Sequence, residues 1–434
     1  MTPQKDISEF NKEPESKHKF SLAPEEIPDG WDIVRIGELK ERVSNRVDPQ
    51  EFPEDKYLSL KHLDKSSTRA KSHGYAEEVS SKKYRFKEGD ILFGRLRPYF
   101  RKVIKTEFGG VCSTDMDVIR PKEGVDRDFL HYTLFRQDFI NIADKTSTGT
   151  RMPRADWDVL DDVLVALPPM EEQKRIGEAL NNLDSKIDSN KRVISLCNQV
   201  SQAIFRNWFI ELEPFEEEPR SYRDGIGREI PDEWQVKQMS EVAKVVDCLH
   251  SKKPDEQDYG NFYIEVNDIG ENGELALDNK YLISAEDYEK WTRRITAKPG
   301  DVIISKDGRV GAVAQIPEGV EGAIGRNLVC IRPDKEQLSP PLLREYMLSP
   351  LMKAEIGRKT LSRSIFETLH VSEIEDLRVI LPPKEVRQAF DNLVRPLHEQ
   401  INHNIKESIT LEQVRNTLLP ELLSGHVRID PDNN

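Results

Sequence analysis

The chain carries two related copies of one sequence pattern, and the second copy begins about 200 residues after the first. The motif Ile-Pro-x-x-Trp at residues 27–31 returns at residues 230–234. Other motif pairs keep a similar offset that grows slowly along the chain: residues 86–93 with 297–304, 118–121 with 330–333, and 167–169 with 381–383. Solenoid repeats are only about 20–50 residues long, so this period indicates a duplicated domain. Two similar units in one chain favour a target that also has two halves.

Length and charge agree with this organisation. A chain of 434 residues can form two domains that each bury a core. The net charge of −14 argues against a simple nucleic-acid coat protein, but the charge is uneven. Residues 82–105 contain nine Lys and Arg against two acidic residues. A local basic patch on an acidic chain is typical of a protein that contacts DNA at chosen points and protein partners elsewhere.

Several classes of protein are disfavoured by the sequence. No apolar segment reaches the roughly 18 residues that a membrane-spanning helix needs. The polar N-terminus lacks the apolar region of a secretory signal. The cysteines are far apart and lack the spacing of a metal site, so we expect buried thiols in a reducing cytoplasm and no metal; they are Cys112, Cys197, Cys248 and Cys330. We therefore predict a cytoplasmic protein without a membrane partner.

Each half reads as a mixed domain followed by a long helix. Gly-Asp before a β-branched or aromatic run predicts a turn that enters a buried strand. Strands are predicted at residues 57–60, 90–93, 116–119, 262–266, 301–304 and 328–331, with short helices at 128–138 and 341–353. Short strands mixed with short helices predict an α+β fold.

A heptad pattern follows each Leu-Pro-Pro motif. Seam residues spaced by three and four run over residues 176–204 and again over 394–422, which indicates coiled-coil helices. The apolar stripes are narrow, so we expect the two helices to pack on each other. An antiparallel pair would hold the two domains apart on a rod of roughly 57 Å, at 1.5 Å per residue. Asn190 and Asn404 occupy the same seam position, where an Asn either fixes the helix register or is simply solvated at the seam edge.

The helical motifs resemble a known family. Leu-Pro-Pro-Met-Glu-Glu-Gln at 167–173, Leu-Asp-Ser-Lys-Ile at 183–187 and Ile-Phe-Arg-Asn-Trp-Phe at 204–209 are similar to the specificity (S) subunit of type I restriction–modification systems. The resemblance covers about residues 27–427. It implies an α+β fold with two tandem target recognition domains separated by two long helices packed as an antiparallel coiled coil. The second copy departs from the pattern at residues 384–387, where Lys-Glu-Val-Arg replaces Met-Glu-Glu-Gln.

The resemblance also implies a division of the chain and of labour. The predicted segments are a polar leader (1–26), a first target recognition domain (27–166), a first helical spacer (167–213), a linker (214–229), a second target recognition domain (230–380), a second helical spacer (381–427) and a tail (428–434). Each domain would read one half-site of an interrupted double-stranded DNA target, and the helices would dock two methyltransferase (M) subunits. The chain itself would hold no cofactor. S-adenosylmethionine would lie on the M subunits, and ATP and Mg²⁺ on a restriction (R) subunit.

The candidate DNA contacts lie after the buried strands. Residues 94–102 combine four cations with two aromatic side chains, and residues 305–309 are their sparser counterpart. Arg can pair with guanine, Asn with adenine, and Lys or hydroxyl groups with phosphate. We predict DNA contacts from Lys61, Arg95, Arg97, Tyr99, Arg101, Lys102, Thr148, Arg151, Arg154, Asn267, Lys306, Arg309, Arg326, Asn327 and Arg363.

We found no catalytic constellation. The chain lacks the Asn/Asp-Pro-Pro-Tyr/Phe motif of methyltransferases, a dinucleotide fingerprint and a P-loop. A nuclease-like pattern from Asp29 to Lys40 is not repeated in the second copy. We therefore predict a non-catalytic DNA reader. The competing hypotheses are an enzyme with nuclease or methylase activity and a coiled-coil adaptor that binds no DNA. Steep salt dependence of duplex binding would separate the reader from the adaptor.

Overall fold

The computed structural model describes residues 20–149, 151–223, 225–270, 272–277, 280–360 and 368–429. Two compact units divide the chain. The first unit comprises Met1–Lys186 with Leu411–Asn434, and the second comprises Ile187–Thr410. The predicted leader up to residue 19, the predicted contact Arg363 and residues 430–434 of the predicted tail lie outside the described residues.

The described residues of the first unit form three mostly antiparallel sheets. Its strands are β1 (Asp32–Arg35), β2 (Lys40–Val43), β3 (Arg46–Val47), β4 (Lys56–Leu58), β5 (Gly74–Tyr75), β6 (Lys83–Phe86), β7 (Ile91–Gly94), β8 (Val103–Lys105), β9 (Gly110–Cys112), β10 (Met116–Pro121) and β11 (Leu164–Leu167). Its helices are α1 (Ile36–Leu39), α2 (Arg127–Phe135), α3 (Gln137–Lys145), α4 (Trp157–Leu160) and the start of α5 (Met170–Phe205). The sheet orders are β2-β10-β7-β8, β3-β6-β9-β4-β5 and β1-β11.

The second unit follows with a closely similar series. Its strands are β12 (Arg220–Arg223), β13 (Arg228–Pro231), β14 (Gln235–Gln238), β15 (Ala243–Asp247), β16 (Asn261–Ile264), β17 (Leu282–Ile283), β18 (Val302–Ser305), β19 (Val313–Gln315), β20 (Ala323–Ile324), β21 (Leu328–Pro333) and β22 (Arg378–Leu381). Its helices are α6 (Met239–Val242), α7 (Ala285–Trp291), α8 (Pro340–Leu348), α9 (Pro350–Thr360), α10 (Val371–Glu375) and most of α11 (Lys384–Ser424). The sheet orders are β15-β21-β18-β19, β17-β16-β20, β14-β22 and β12-β13.

The two units share one scaffold. The order β2-β10-β7-β8 has the same pairing as β15-β21-β18-β19, and Ile119 opposite Ile91 corresponds to Ile331 opposite Val302. In each unit one strand pair is parallel, β4 with β9 and β16 with β20. The duplication, the α+β class and the six predicted strands are therefore confirmed, with boundaries shifted by one to a few residues.

The repeated Gly-Asp and Ile-Arg-Pro motifs meet in an ion pair. Asp90 precedes β7 and is fully buried, and its carboxylate accepts two hydrogen bonds of 2.8 Å from Arg120 of β10. Asp301 and Arg332 form the same contact in the second unit, at 2.8 and 2.6 Å. Each Asp also accepts a bond from the backbone three residues earlier, which closes the turn before the strand. The motifs recur because this buried carboxylate requires its partner.

The predicted short helices are each interrupted. The predicted helix 128–138 ends at Phe135, where Arg136 is extended, and α3 begins at Gln137. The predicted helix 341–353 breaks at Ser349, which precedes Pro350. A proline disfavours helical backbone in the residue before it, which explains the second break.

The predicted linker at residues 214–229 is structured. Strands β12 and β13 pair as an antiparallel hairpin, and Phe215 packs against Trp234 in the core of the second unit. The acidic, proline-containing sequence indicated a boundary but gave no sign that Phe215, one of its two aromatic residues, was anchored. This segment therefore belongs to the second unit.

Helices α5 and α11 run antiparallel within each unit, as predicted. In the first unit Asp184 bonds Arg415 at 2.6 Å, and Glu172, earlier in α5, bonds Arg428, just beyond the end of α11. In the second unit Asn190 donates to Glu407 at 2.8 Å, and Phe205, later in α5, packs on Phe390, earlier in α11, with 6.2 Å between the ring centroids. Partners with higher numbers on one helix have lower numbers on the other, which is the signature of an antiparallel pair.

The two seam asparagines are buried. Asn190 is 2% exposed and Asn404 is 3% exposed, so the interpretation as solvated edge residues is wrong. Asn190 bonds Glu407, while the Asn404 side-chain oxygen accepts a bond from Gln400 one turn earlier. Asn190 and Glu407 form a polar pair between the two helices. Another helix register would leave the buried Asn190 side chain without this partner. The register role itself stays a prediction.

The cysteines lie inside the two units as free thiols. Cys112, Cys248 and Cys330 are buried and Cys197 is partly buried. Burial raises the pKa of the Cys248 and Cys197 thiols, so they stay protonated at neutral pH. Among the described helices, none combines the length and apolar character needed to cross a bilayer.

Candidate nucleic-acid interface

A tight turn at residues 97–101 lies between strands β7 and β8. Arg97 and Arg101 both have left-handed backbone, with φ of 54° and 51°, on either side of the 3-10 turn Pro98–Phe100. Such backbone costs a non-glycine residue of order 1 kcal/mol or more and persists only where its surroundings enforce it. Here the Arg97 amide donates to the Pro153 carbonyl at 2.8 Å, and the Arg101 amide donates to Pro98 at 2.8 Å.

Arg101 anchors this turn from the inside, so its prediction as a direct DNA contact is wrong for this structure. Its side chain is 6% exposed, lies 3.8 Å from the Phe135 ring centroid and donates to the Phe135 carbonyl at 2.6 Å. Burial, reinforced by the charge of Arg415, lowers the pKa of Arg101 to about 9. The residue type and spacing suggested a contact, but a side chain this enclosed cannot reach a duplex.

The outer side of the turn presents Arg97 and Tyr99. Both are exposed, whereas Pro98 between them is buried. The Tyr99 ring leans on Phe100, with 4.6 Å between the centroids. The ammonium of Lys65 lies 5.2 Å from the Phe100 ring centroid. A cation next to two aromatic rings is suited to both phosphate and base contacts.

The other predicted residues of the first unit gather around this turn. Leu96 and Thr148 each form an isolated β-bridge with Arg154. The exposed Lys61 lies in the 3-10 turn Leu60–His62, and the Leu60 carbonyl accepts a 2.6 Å bond from Lys102. We call this the first contact surface, and it comprises Lys61, Lys65, Arg95, Arg97, Tyr99, Thr148, Arg151 and Arg154.

Two arginines of this surface are paired with acids. Arg95 lies 3.8 Å from Asp117, and Arg154 lies 3.1 Å from Asp115. The Asp117 carboxylate also accepts a 2.9 Å bond from the Trp157 indole. Acidic partners hold each guanidinium in place until a ligand competes for it. The ion pairs of Arg95 and Arg154, and the hydrogen bond from Lys102 to the Leu60 carbonyl, do not contradict the predicted DNA contacts of these three residues. Those contacts stay predictions.

The second unit presents a different arrangement at the corresponding strand ends. The Lys306 amide, just after β18, donates to the Asn327 carbonyl at 2.8 Å, just before β21. The Arg326 amide donates to the buried Tyr263 hydroxyl at 3.1 Å, which leaves the exposed Arg326 side chain facing outward. Asn327 has left-handed backbone, with φ of 68°. The predicted residues 306, 326 and 327 are therefore brought together.

A pocket beside these residues adds side chains that the sequence did not single out. His250, Ser251 and Lys252 line it together with Arg326 and Asn327. Asp247 accepts bonds from Lys306 at 2.5 Å and from His250 at 2.7 Å. We call His250, Ser251, Lys252, Lys306, Arg326 and Asn327 the second contact surface. The loop 248–253 has no counterpart motif in the first copy, so the repeat could not point to it.

Two further predicted residues of this unit differ in placement. Arg309 donates from its guanidinium to the Ile269 carbonyl at 2.7 Å, which fixes it against the neighbouring loop. Asn267 is exposed on the 3-10 turn Val266–Asp268, directly after β16. Lys61 holds the equivalent position after β4. The Asn267 side chain is therefore accessible, while the Arg309 guanidinium already has a hydrogen-bond partner within the unit.

The described residues contain one group of possible metal ligands, Asp247, Cys248 and His250, whose donor atoms lie within 4.8 Å of one another. The Cys248 thiol is buried and its pKa is raised, so it does not offer a thiolate. The Asp247 carboxylate already forms an ion pair with the Lys306 ammonium. The donor set thus fits an ion-pair cluster better than a zinc site.

Comparison with known proteins identifies relatives along most of the chain. The family described as the type I restriction modification DNA specificity domain matches residues 28–198 and again 231–411. The MjaIX specificity subunit of a type I restriction enzyme from Methanocaldococcus jannaschii is 26% identical over 316 residues, covering 72% of each chain. The MjaVIII specificity subunit from the same organism is 22% identical over 442 residues and covers 98% of both chains.

A solved structure supports the fold. The crystal structure of a type I restriction–modification system S subunit from M. genitalium has a TM-score of 0.51 and is 13% identical. It covers 92% of this chain, and the match includes 97% of the solved chain. At this identity the likeness concerns the arrangement of elements and not the individual contact residues.

Proposed function

This chain belongs to the type I restriction–modification DNA specificity family, and we propose that its first and second contact surfaces each read one half-site of an interrupted DNA target. The chain is a DNA-specificity subunit of a type I restriction–modification complex. The observation that carries the half-site assignment is the duplication itself. The family match occurs twice, and each copy presents a polar, cationic surface at equivalent strand ends.

The first contact surface is suited to a guanine and to phosphates. Arg97 is exposed and held at the outer side of its turn by the bond from its backbone amide to Pro153. A fixed guanidinium can donate two parallel bonds to guanine O6 and N7. Lys61 and Lys65, exposed beside the turn, are suited to neutralise phosphate.

The second contact surface is suited to a different half-site. Arg326 and Asn327 offer the donors that recognise guanine and the donor–acceptor pair that recognises adenine. Their placement at a tight turn next to the Lys306–Asp247 ion pair limits their rotamers and so favours selective contacts. Because the two surfaces share no side-chain pattern, we expect the two half-sites to have different sequences.

The chain itself does no chemistry in this proposal. Methyl transfer and cleavage belong to the methyltransferase and restriction partners, and we infer that two methyltransferase subunits dock on the paired helices. S-adenosylmethionine, ATP and Mg²⁺ would then be held by those partners. The resemblance of the helical motifs supports this division of labour, and the duplicated helices offer two similar docking sites.

The experiment is a binding assay of the full chain with its methyltransferase partner. The recognised sequence is first obtained by methylation profiling, and duplexes with one half-site scrambled are then compared with the intact target. We expect either scramble to weaken binding, and we expect affinity to fall steeply with salt because phosphate contacts release counterions. Binding that ignores both scrambles would contradict the proposal. The isolated chain, incubated with plasmid DNA, should neither cleave nor methylate it.

A further inference from the structure

Two apolar side chains stand exposed on the first contact surface. Tyr99 is 48% exposed and Met152 is 49% exposed. A single exposed apolar residue is ordinary in any protein. These two, however, lie on chain segments joined by the bond from the Arg97 amide to the Pro153 carbonyl and by the bridge between residues 96 and 154. Both side chains therefore lie on neighbouring segments of the first contact surface, which also carries several cations.

The turn that carries Tyr99 is held in a fixed position. The Ser66 amide donates to the Phe100 carbonyl at 3.0 Å, and the buried Arg101 ties the far end of the turn to Phe135. Tyr99 rests on Phe100, so its ring has an aromatic support on the protein side and solvent on the other. A tyrosine ordered in this way loses little conformational entropy when it meets a ligand.

An aromatic ring among cations is matched to stacked bases. Apolar and aromatic side chains act as wedges that part neighbouring base pairs and kink a duplex. Exposed aromatic rings also stack on single bases, with an energy that depends little on the base. The lysines and arginines around Tyr99 would hold the phosphates on both sides of such a step.

The second unit has no such feature at the corresponding turn. Residues 305–311 form a polar loop, in which the Ser305 hydroxyl bonds the Arg309 carbonyl and the Arg309 guanidinium bonds Ile269. The Gly308 and Gly311 backbones have φ of 79° and 77°, and no aromatic residue occurs between them. Among the described residues, this turn therefore carries an aromatic side chain in the first unit alone.

We propose that Tyr99, supported by Phe100 and flanked by Met152, inserts into the base stack at one step of the first half-site and unstacks that step. The inference rests on the proposed function, because it needs the first unit to bind duplex DNA. It adds a source of specificity without base hydrogen bonds. Pyrimidine–purine steps such as TA and CA unstack most easily, so the wedge selects a flexible step at its position.

The test uses 2-aminopurine, whose fluorescence rises when it leaves the stack. The full chain with its methyltransferase partner is titrated into duplexes that carry the probe at each position in or beside either half-site. Methyltransferases extrude the base that they modify, so a rise at those bases is expected in both half-sites. We expect one further rise, at a single step of the first half-site. Tyr99→Ala should abolish that further rise and weaken binding by about 5- to 150-fold, the loss expected for one base–aromatic stack. Tyr99→Phe should preserve both.

The matched control is Tyr222→Ala, because Tyr222 is 60% exposed on the hairpin β12–β13 and lies on neither contact surface. It should leave the fluorescence and the affinity unchanged. Specific binding by the wild-type complex without a fluorescence rise in the first half-site beyond that of the methylated base overturns the wedge but leaves the proposed function intact. A loss in Tyr99→Phe as large as in Tyr99→Ala also overturns it, because the hydroxyl and not the ring would then carry the contact. Absence of specific binding by the wild-type complex refutes the proposed function instead.

Discussion

The two units use the same scaffold to hold two different surfaces. Both have the four-stranded order with the Asp–Arg ion pair at its centre, through Asp90 and Arg120 in one and Asp301 and Arg332 in the other. The connection between β7 and β8 in the first unit contains a strained turn with exposed Arg97 and Tyr99. The matching connection between β18 and β19 in the second unit is a polar loop beside a pocket. The two copies share the residues that stabilise the fold and differ in the surfaces that we propose to contact DNA.

The attachment of each unit to the long helices shows the same contrast. Asp184 on α5 accepts bonds from Tyr132 of α2 at 2.7 Å and from Arg415 at 2.6 Å. His398 on α11 occupies the matching position 214 residues later, where it donates to Glu345 of α8 at 3.0 Å. The acid lies on the helix in the first unit and on the recognition domain in the second.

The surrounding charges keep Glu345 ionised. Burial alone would raise the pKa of Glu345, but the hydrogen bond with His398 and the charge of Arg344 lower it below its usual range. In the first unit, burial and the charge of Asp184 raise the pKa of the Tyr132 hydroxyl, so it remains a donor. The acid and its hydrogen-bond donors are thus exchanged between helix and domain in the two attachments. A helix segment from one unit would not supply the partners that the domain of the other unit requires.

The largest expected effect concerns this attachment. Arg415→Ala removes the cationic partner of Asp184, which is 2% exposed, and leaves its buried charge with one hydroxyl donor. Breaking a buried pair in this way costs about 3–5 kcal/mol. We expect hydrogen exchange to show a loss of protection in the first unit alone. An equal loss in the second unit would mean that the two attachments are not independent.

His398→Ala is the matched variant. It removes one donor from Glu345, which keeps Arg344 at 2.6 Å, so we expect a smaller loss of about 1–3 kcal/mol that is confined to the second unit. The same hydrogen-exchange experiment measures it. A larger loss than that of Arg415→Ala would reverse the order of the two attachments.

The shared scaffold predicts equal effects instead. Arg120→Ala and Arg332→Ala each leave a buried aspartate without its ion-pair partner, although both arginines are partly exposed. We expect each unit to lose about 2–3 kcal/mol of local stability, less than a fully buried pair because solvent screens the arginine. Losses that differ by more than the error of the measurement would show that the ion pair has different roles in the two copies.

The contact surfaces should again separate the units. Arg97→Ala should weaken binding to the first half-site, and Arg326→Ala to the second, each by about 1–3 kcal/mol with relaxed specificity at one base. Competition between duplexes with single base changes measures both effects. Equal weakening at both half-sites by either variant would contradict the assignment of surfaces to half-sites.

The smallest effect is electrostatic. Lys61→Ala should weaken binding to all duplexes alike and reduce the slope of log affinity against log salt by about 1, as expected for one phosphate contact. Asn267→Ala, at the equivalent exposed turn of the second unit, removes no charge and should leave the slope unchanged. A slope that is the same for wild type and Lys61→Ala would exclude Lys61 from the phosphate contacts.

Much of the fold follows from the sequence because the repeat supplies an internal comparison. The Leu-Pro-Pro motifs and the heptads predicted two long antiparallel helices, and the Gly-Asp motifs predicted buried strands. The repeat also showed a substitution at residues 384–387, but not its structural consequence. Gln173 of α5 bonds the Pro168 and Gly124 carbonyls, and Arg387, which replaces it in α11, bonds the Pro382, Glu336 and Gln337 carbonyls. Two unlike side chains thus close the same helix start.

The candidate site was predicted less completely than the fold. Charge and residue type alone could not separate the outward Arg97 from the inward Arg101, because burial depends on Phe135 of α2, 34 residues later. His250 and Lys252 could not be found because their loop is not repeated. Short polar loops carry the proposed recognition residues, and the conformation of these loops is set by contacts that are distant in sequence.

The central claim is that two separate surfaces of one chain read two half-sites. Methylation profiling of cells that express the chain with its methyltransferase, as wild type and as Arg97→Ala, tests it most directly. The account predicts a motif of two defined blocks separated by an undefined gap of constant length, with sequence preference relaxed in only one block by the substitution. A single uninterrupted block, or relaxation spread over both blocks, would contradict it.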